Sequence, residues 1–448
     1  MEPTSKAESS ASHQTKKRKA SWAREIYLAV WRWHFWSGLL ITPFLIILSV
    51  TGALYVFKPQ IEDALYSEYL QIDPVAEATP SFDAFITNLE KTYPGVEVTN
   101  ILVKDDPRSP WESYLEIPQE NNSHTHLRLF YDPYRDQIIG STDFENSFFF
   151  VVLQLHRNLM IGLPGRLITE LATSWGILSI LSGLLLWWPK GKEKVMGVWI
   201  PRLNRSRKIL LRDLHVVPAV YISIFVIAIM FTGLLFTRVW GTAWLAGNAL
   251  SGGFPDVYTN PPQSILPAET DEQLERTSID KAFFLAKEVH DYEKGAFSIR
   301  IPELGQTQAI QFQTDLTNPF IHQALAYIDL YSGALLAGAS SAEGDLPLRT
   351  RLTLLFYPIH TGLIFGLGTQ ILAFFVCLVI ILMSITGVWM WWRRRPKGEM
   401  GMPSKIPDPA PKWLVIGTVS FAAFLPTVGI SLMGIFLVGF IRAKFFKK

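Results

Sequence analysis

The 448-residue chain is 49% hydrophobic with a mean hydropathy of +0.21, and its apolar residues gather into long runs, which excludes an ordinary water-soluble domain. Its 41 Lys and Arg nearly balance 39 Asp and Glu, and no nucleic-acid partner is expected. A single cysteine, Cys377, excludes an intramolecular disulfide and a Cys-ligated zinc or iron–sulfur site.

Residues 1–25 form a polar, basic tail (Lys16, Lys17, Arg18, Lys19). The first apolar run, residues 26–57, is too long for a signal peptide and lacks a small-residue cleavage site, so it reads as a retained helix. Further spans are predicted over 156–188, 214–236 and 360–392, each near the 20 or so apolar residues a bilayer requires. A fifth run, 413–440, is interrupted near Pro426 and Gly429 and reads as one helix or a hairpin. Segments 58–155 and 237–359 each read as a small α+β domain. The first has a helical period over Phe82–Tyr93 and alternation over Val96–Lys104, Trp111–Ile117 and Leu127–Asp132. The second has a helix at Ile279–Val289 and strands at Ala296–Ile301, Gln308–Gln313 and Ala324–Leu330.

Basic residues crowd the tail, the loop 189–213 (Lys190, Lys192, Lys194, Arg202, Arg205, Arg207, Lys208, Arg212) and the segment 393–412 (Arg393, Arg394, Arg395, Lys397). By the positive-inside rule these are cytoplasmic, and the two α+β segments lie outside. Trp187-Trp188 and Trp391-Trp392 sit beside the basic ends, as membrane-interface aromatics do.

The chain repeats itself in register. With His156 aligned to His360, Leu159 meets Leu363, Gly162 meets Gly366, Gly183 meets Gly387, and the two tryptophan pairs coincide. With His34 aligned to His215, Thr51-Gly52 meets Thr232-Gly233. The expected fold is an α-helical membrane protein with two parallel repeats of helix, α+β domain and helix. They would form a four-helix bundle about a pseudo-two-fold axis along the membrane normal, with the C-terminal apolar helix or hairpin added.

Of nine histidines, four mark these helices. His34 and His215 fall near the cytoplasmic starts of the first and third; His156 and His360 precede the second and fourth on the outer side. Two imidazoles facing each other across a bundle suit axial ligation of a haem iron, and neutral imidazole places no charge in lipid. Gly38, Gly52, Gly162, Gly183, Gly233, Gly366 and Gly387 could let a flat macrocycle approach backbone. Arg32 and Arg212 could pair with propionates at the inner site, Arg157 and Arg166 at the outer one. A lone helix-end histidine is more often an interfacial polar group, but four at equivalent positions favour cofactor ligation. A proton relay would recruit acids inside the spans, and Glu170 is nearly alone there. His124 and His126 have the spacing of two metal ligands on one strand face, although a solvated loop is the plainer reading.

Arg32-Trp33-His34 with Gly38 and Thr51-Gly52, Leu155-His156 followed by Gly162, and Ile359-His360-Thr361-Gly362 followed by Gly366 together resemble the PepSY-associated transmembrane family. The outer segments resemble PepSY modules, down to the turn at Asp132-Pro133; Leu330 departs from the usual small residue or proline of the second turn. The resemblance covers about residues 25–398. It implies a multi-pass protein of the bacterial inner membrane, N-terminus cytoplasmic, with two b-type haems held by His34, His215, His156 and His360. It further implies reduction of a periplasmic ferric siderophore, with electrons from a cytoplasmic protein or a quinol, since no nicotinamide or flavin fingerprint occurs. The alternatives are a membrane-anchored binding or regulatory protein and an iron or siderophore transporter.

Overall fold

The computed structural model describes residues 4–118, 124–189, 195–267, 274–292, 295–315, 323–340, 347–403 and 412–445, without the side chains of 4–23 and 412–414. Lys190, Lys192, Lys194, His322, Lys447 and Lys448 lie outside the described residues, as do the side chains of His13 and of the tail lysines. In chain order the first half gives α1 (Thr4–Val56), α2 (Lys58–Leu65), α3 (Ser67–Leu70), α4 (Phe82–Thr92), β1 (Asn100–Val103), β2 (Trp111–Pro118), β3 (His124–Asp132), β4 (Gln137–Asp143), α5 (Phe148–Asn158) and α6 (Leu163–Trp187). The second gives α7 (Arg207–Gly233), α8 (Trp240–Leu250), α9 (Asp256–Thr259), α10 (Ile279–Ala286), β5 (Phe297–Arg300), β6 (Ile310–Thr314), β7 (Ala324–Ile328), β8 (Leu335–Ser340), α11 (Leu348–Leu354), α12 (Phe356–Thr361) and α13 (Leu367–Arg394). Helices α14 (Lys412–Phe424) and α15 (Pro426–Phe445) close the chain.

The chain divides into two compact units: Met1–Ala53 with Leu155–Thr242 and Ile371–Lys448, and Leu54–Gln154 with Ala243–Gln370. Among the described residues, five helices are long and apolar enough to cross a bilayer: Arg24–Val56, Leu163–Trp187, Arg207–Phe236, Leu367–Arg394 and Pro426–Phe445. The protein is therefore a multi-pass membrane protein. The fifth apolar run is two helices. Pro426 lacks an amide hydrogen and disfavours helical geometry at Leu425, so α14 ends at 13 residues and α15 starts afresh. These last helices join the first unit through small polar side chains. Thr427 meets Ser174 at 3.3 Å, and the Trp175 indole donates to Ser431 at 3.1 Å.

In the second unit the two α+β segments share one antiparallel sheet, ordered β4-β3-β2-β1-β5-β6-β7-β8. The two segments, each expected as a small α+β domain, meet at a seam where Asn100 to Val103 pair with Arg300 to Phe297. One face packs on α4 and α10, burying Phe82, Phe85, Ile86, Leu89, Ile279, Ala282 and Ala286 against Ile101, Leu129, Ile299, Phe312 and Ala326. Each helix completes the other's N-terminus. Asp280 accepts from Ser81 Oγ (2.5 Å) and Phe82 N (2.7 Å), and Asp83 from Ser278 Oγ (2.5 Å) and Ile279 N (2.8 Å). The strand-ending turns also match. Asp132 accepts from the amides of Tyr134 and Arg135, and Asp329 from those of Tyr331 and Ser332.

On the opposite face of the first half, buried Arg128 bridges Glu112 (2.8 Å) and Glu62 (3.1 Å), with Lys104 on Glu112 at 2.9 Å. Burial works to raise the Glu112 carboxyl, but Arg128 and Lys104 outweigh it and hold it below its ordinary value.

Candidate functional site

Helices α1, α6, α7 and α13 line a cavity of about 1110 Å³ in the first unit, just above the roughly 300–1,000 Å³ of small-molecule and cofactor pockets. His34 from α1 and His215 from α7 face each other in it, ring centroids 6.3 Å apart and planes at 82°.

The surroundings of the two rings correspond position by position. His34 Nδ1 lies 2.9 Å from the Ser179 carbonyl oxygen and 3.1 Å from Ser182 Oγ; His215 Nδ1 lies 2.9 Å from the Met383 carbonyl and 3.3 Å from Thr386 Oγ1. A carbonyl only accepts, so each Nδ1 carries the proton and each Nε2 keeps its lone pair. Neither Nε2 has a hydrogen-bond partner among the described residues. Glycine makes room for both rings. A Cβ at Gly183 would lie 3.1 Å from His34 Cε1, and one at Gly387 would lie 3.2 Å from His215 Cε1. At Gly38, which also lines the cavity, a Cβ would meet nothing within 4 Å.

The cavity wall is basic. Arg202, Lys208, Arg212, Arg393 and Arg394 line it, together with Trp187 and Trp391. Two of these cations are taken by fully buried Asp213, held by Arg202 Nε (2.7 Å) and Nη2 (2.8 Å) and Arg212 Nη1 (3.0 Å). Arg212 also donates to the Gly197 carbonyl. Lys208, Arg393 and Arg394 have no carboxylate partner among the described residues, and Arg394 Nε donates to the Met390 carbonyl at 3.1 Å. Sequence reasoning named Arg212 but treated Arg202, Lys208, Arg393 and Arg394 only as topology signals; their closeness to the ends of α7 and α13 was the available clue. Arg32 is half-buried on α1 and does not line the cavity. The tryptophan pairs divide their work. Trp187 and Trp391 donate to the Val198 and Met400 carbonyls, while Trp188 and Trp392 are exposed.

His156 sits on α5, and Leu159 and Met160 at positive φ, with Gly162 at φ 66°, turn the chain into α6. Its Nδ1 lies 3.0 Å from Thr51 Oγ1, and a Cβ at Gly52 would lie 3.4 Å from its Cε1 and 3.5 Å from Cys377 Sγ. Gly366, at φ 67°, likewise precedes α13, so Gly162 and Gly366 serve the turn. His360 belongs to the second unit, on α12. Arg157 is exposed. Arg166 donates to the Phe236 carbonyl at 2.9 Å, and its buried Nε has no acceptor among the described residues. Glu170, fully buried, accepts from the Val239 and Trp240 amides at 2.8 and 2.9 Å and so caps α8.

His124 pairs with Glu116 at 2.9 Å and His126 with Glu145 at 3.8 Å, all largely exposed. Among the described residues no group of three His, Cys, Asp or Glu side chains is placed to hold a metal ion.

No curated protein matches the sequence. The family described as PepSY-associated TM region matches residues 31–394, most of the chain and all four marked histidines, and the protein belongs to that family.

Proposed function

We propose that this protein is a di-haem, b-type electron-transfer protein of the bacterial inner membrane that carries electrons from the cytoplasmic side to a periplasmic acceptor, a ferric siderophore. The observation that carries this reading is the His34–His215 pair, whose centroids lie 6.3 Å apart with Nδ1 anchored on both sides. His34 and His215, each with its Nδ1 hydrogen-bonded to a carbonyl and its Nε2 lone pair unused among the described residues, would be the pair to hold a haem iron between them. The donor set also fits: neutral imidazoles for the iron, Lys208, Arg393 and Arg394 for the propionates, and open space at Gly38 for the ring edge. A haem held there supplies a one-electron redox centre.

The sequence repeat alone supports a second haem on His156 and His360, with Arg157 and Arg166 for its carboxylates. The corresponding surroundings of His34 and His215 favour two parallel repeats about an axis along the membrane normal. The eight-stranded sheet unit would offer the acceptor its docking surface. Adding one electron turns Fe(III) into Fe(II), which hard oxygen donors hold far less tightly, and the metal leaves the siderophore.

The test is the visible spectrum of detergent-purified protein, air-oxidised and then dithionite-reduced, with a pyridine haemochrome count. The expected result is a b-type spectrum with about two haems per chain, falling to about one in His34→Ala and in His215→Ala. A colourless protein from haem-replete cells would overturn the proposal in favour of a binding or regulatory role.

A further inference from the structure

We infer that three hydroxyl–glycine dipeptides, Ser182-Gly183, Thr386-Gly387 and Thr51-Gly52, are the seats of His34, His215 and His156, and that their hydroxyls tune the redox centres those histidines hold. This rests on the haem reading above.

Each hydroxyl has already spent its hydrogen. Ser182 Oγ donates to the Ser179 carbonyl at 3.0 Å. Thr386 Oγ1 donates within its own helix, to Leu382 O at 2.6 Å with Met383 O at 3.2 Å, and Thr51 Oγ1 does the same to Ile47 O at 2.7 Å with Leu48 O at 3.2 Å. Toward the imidazole only a lone pair remains, so each oxygen accepts from a histidine Nδ1–H, at 3.1, 3.3 and 3.0 Å. The next residue is glycine in every case, and its missing Cβ admits the Cε1 edge of the same ring, where a methyl would lie 3.1, 3.2 and 3.4 Å away. Hydroxyl and glycine therefore act together: one fixes the tautomer, the other the ring's depth.

At the cavity the seat has a further member. The carbonyl three residues earlier, Ser179 or Met383, also accepts the Nδ1 proton, because positions i and i+3 share a helix face. Two acceptors on one N–H make the opposite nitrogen more basic, and a more basic axial ligand favours the oxidised metal. Ser182, Thr386 and Thr51 are thus positioning residues whose effect is read as a potential. Removing the hydroxyl raises the midpoint potential of its own centre and leaves the other unchanged.

The experiment is a potentiometric titration of the full-length protein in detergent, with haem counted separately. Ser182→Ala and Thr386→Val are expected to keep both haems and shift one and the same wave upward. Thr51→Val is expected to shift the other wave, and Ser182→Thr and Thr386→Ser to restore the native value. Haem lost in Thr386→Val and regained in Thr386→Ser supports the same role. Unchanged potentials with full haem, equal shifts in the conservative variants, or one wave answering to all three sites would overturn the inference while leaving the di-haem reading intact. Wild-type protein without haem would instead remove that reading, and the inference with it.

Discussion

At Gly165 an added methyl would lie 1.6 Å from the Asn158 carbonyl oxygen, a backbone atom that cannot step aside. Gly165→Ala is therefore expected to open the α5–α6 turn that places His156, read as a lower melting temperature and, on the di-haem proposal, as loss of one haem. Gly387→Ala meets only the His215 ring, at 3.2 Å, but Met383 and Thr386 hold that ring in place. On the di-haem proposal its expected effect is a changed absorption spectrum of one haem with the fold retained. The repeat made Gly183 and Gly387 conspicuous in the sequence. It gave no hint of Gly165, whose counterpart in that alignment is Thr369, nor that Gly162 and Gly366 serve backbone turns. Glu112 was equally illegible, being one acid among 39 until the fold set Arg128 and Lys104 beside it. Its carboxyl titrates below the unfolded value, so its contribution is complete above about pH 4.3 and disappears as the pH falls through the folded value. Glu112→Ala leaves Arg128 with only Glu62 and is expected to cost about 3–5 kcal/mol at neutral pH. Thermal unfolding at pH 7 should show that loss, and the gap from wild type should narrow at pH 3.

Among the elements, the spans were the plainest in the sequence, because a run of some 20 apolar residues has few other uses. The helices α4 and α10 were legible from their period, and six of the eight strands from alternation. The two edge strands were not. Gln137–Asp143 and Leu335–Ser340 carry Gly140 and Gly338 with several small residues, a composition that reads as loop until a neighbouring strand supplies its hydrogen bonds. Nor could a sequence show that Asp83 and Asp280 cap each other's helix. Replacing either by alanine strips the acceptor from a serine hydroxyl and a first-turn amide on the other segment, at a cost of about 0.5–2 kcal/mol. The double variant Asp83→Ala/Asp280→Ala should depart from the sum, because Asp83 Oδ2 also accepts from the Asp280 amide at 3.3 Å and the two caps are in contact. Calorimetric unfolding of the full-length chain measures both.

For the molecule as a whole, the sequence carried four clear spans and marked His34 and His215, left the last apolar run open between one helix and a hairpin, and hid the joining of the outer segments into one sheet. Backbone pairing between β1 and β5 depends on which strand edge is left uncovered, and side-chain alternation says nothing about that. The cavity was half legible: the histidines stood out, and the cations lining it looked like ordinary orientation signals. The shared sheet has a consequence for how the protein is made. Roughly 200 residues of chain, two spanning helices among them, separate β1 from β5, which at about 5–20 residues per second means on the order of 10–40 s of synthesis. Throughout that interval the first segment stands with an open strand edge and an uncapped helix, the state in which foreign strands add most readily. Its maturation is thus obliged to wait for insertion of the third helix, so a ribosome stalled between the halves leaves a product for quality-control proteases.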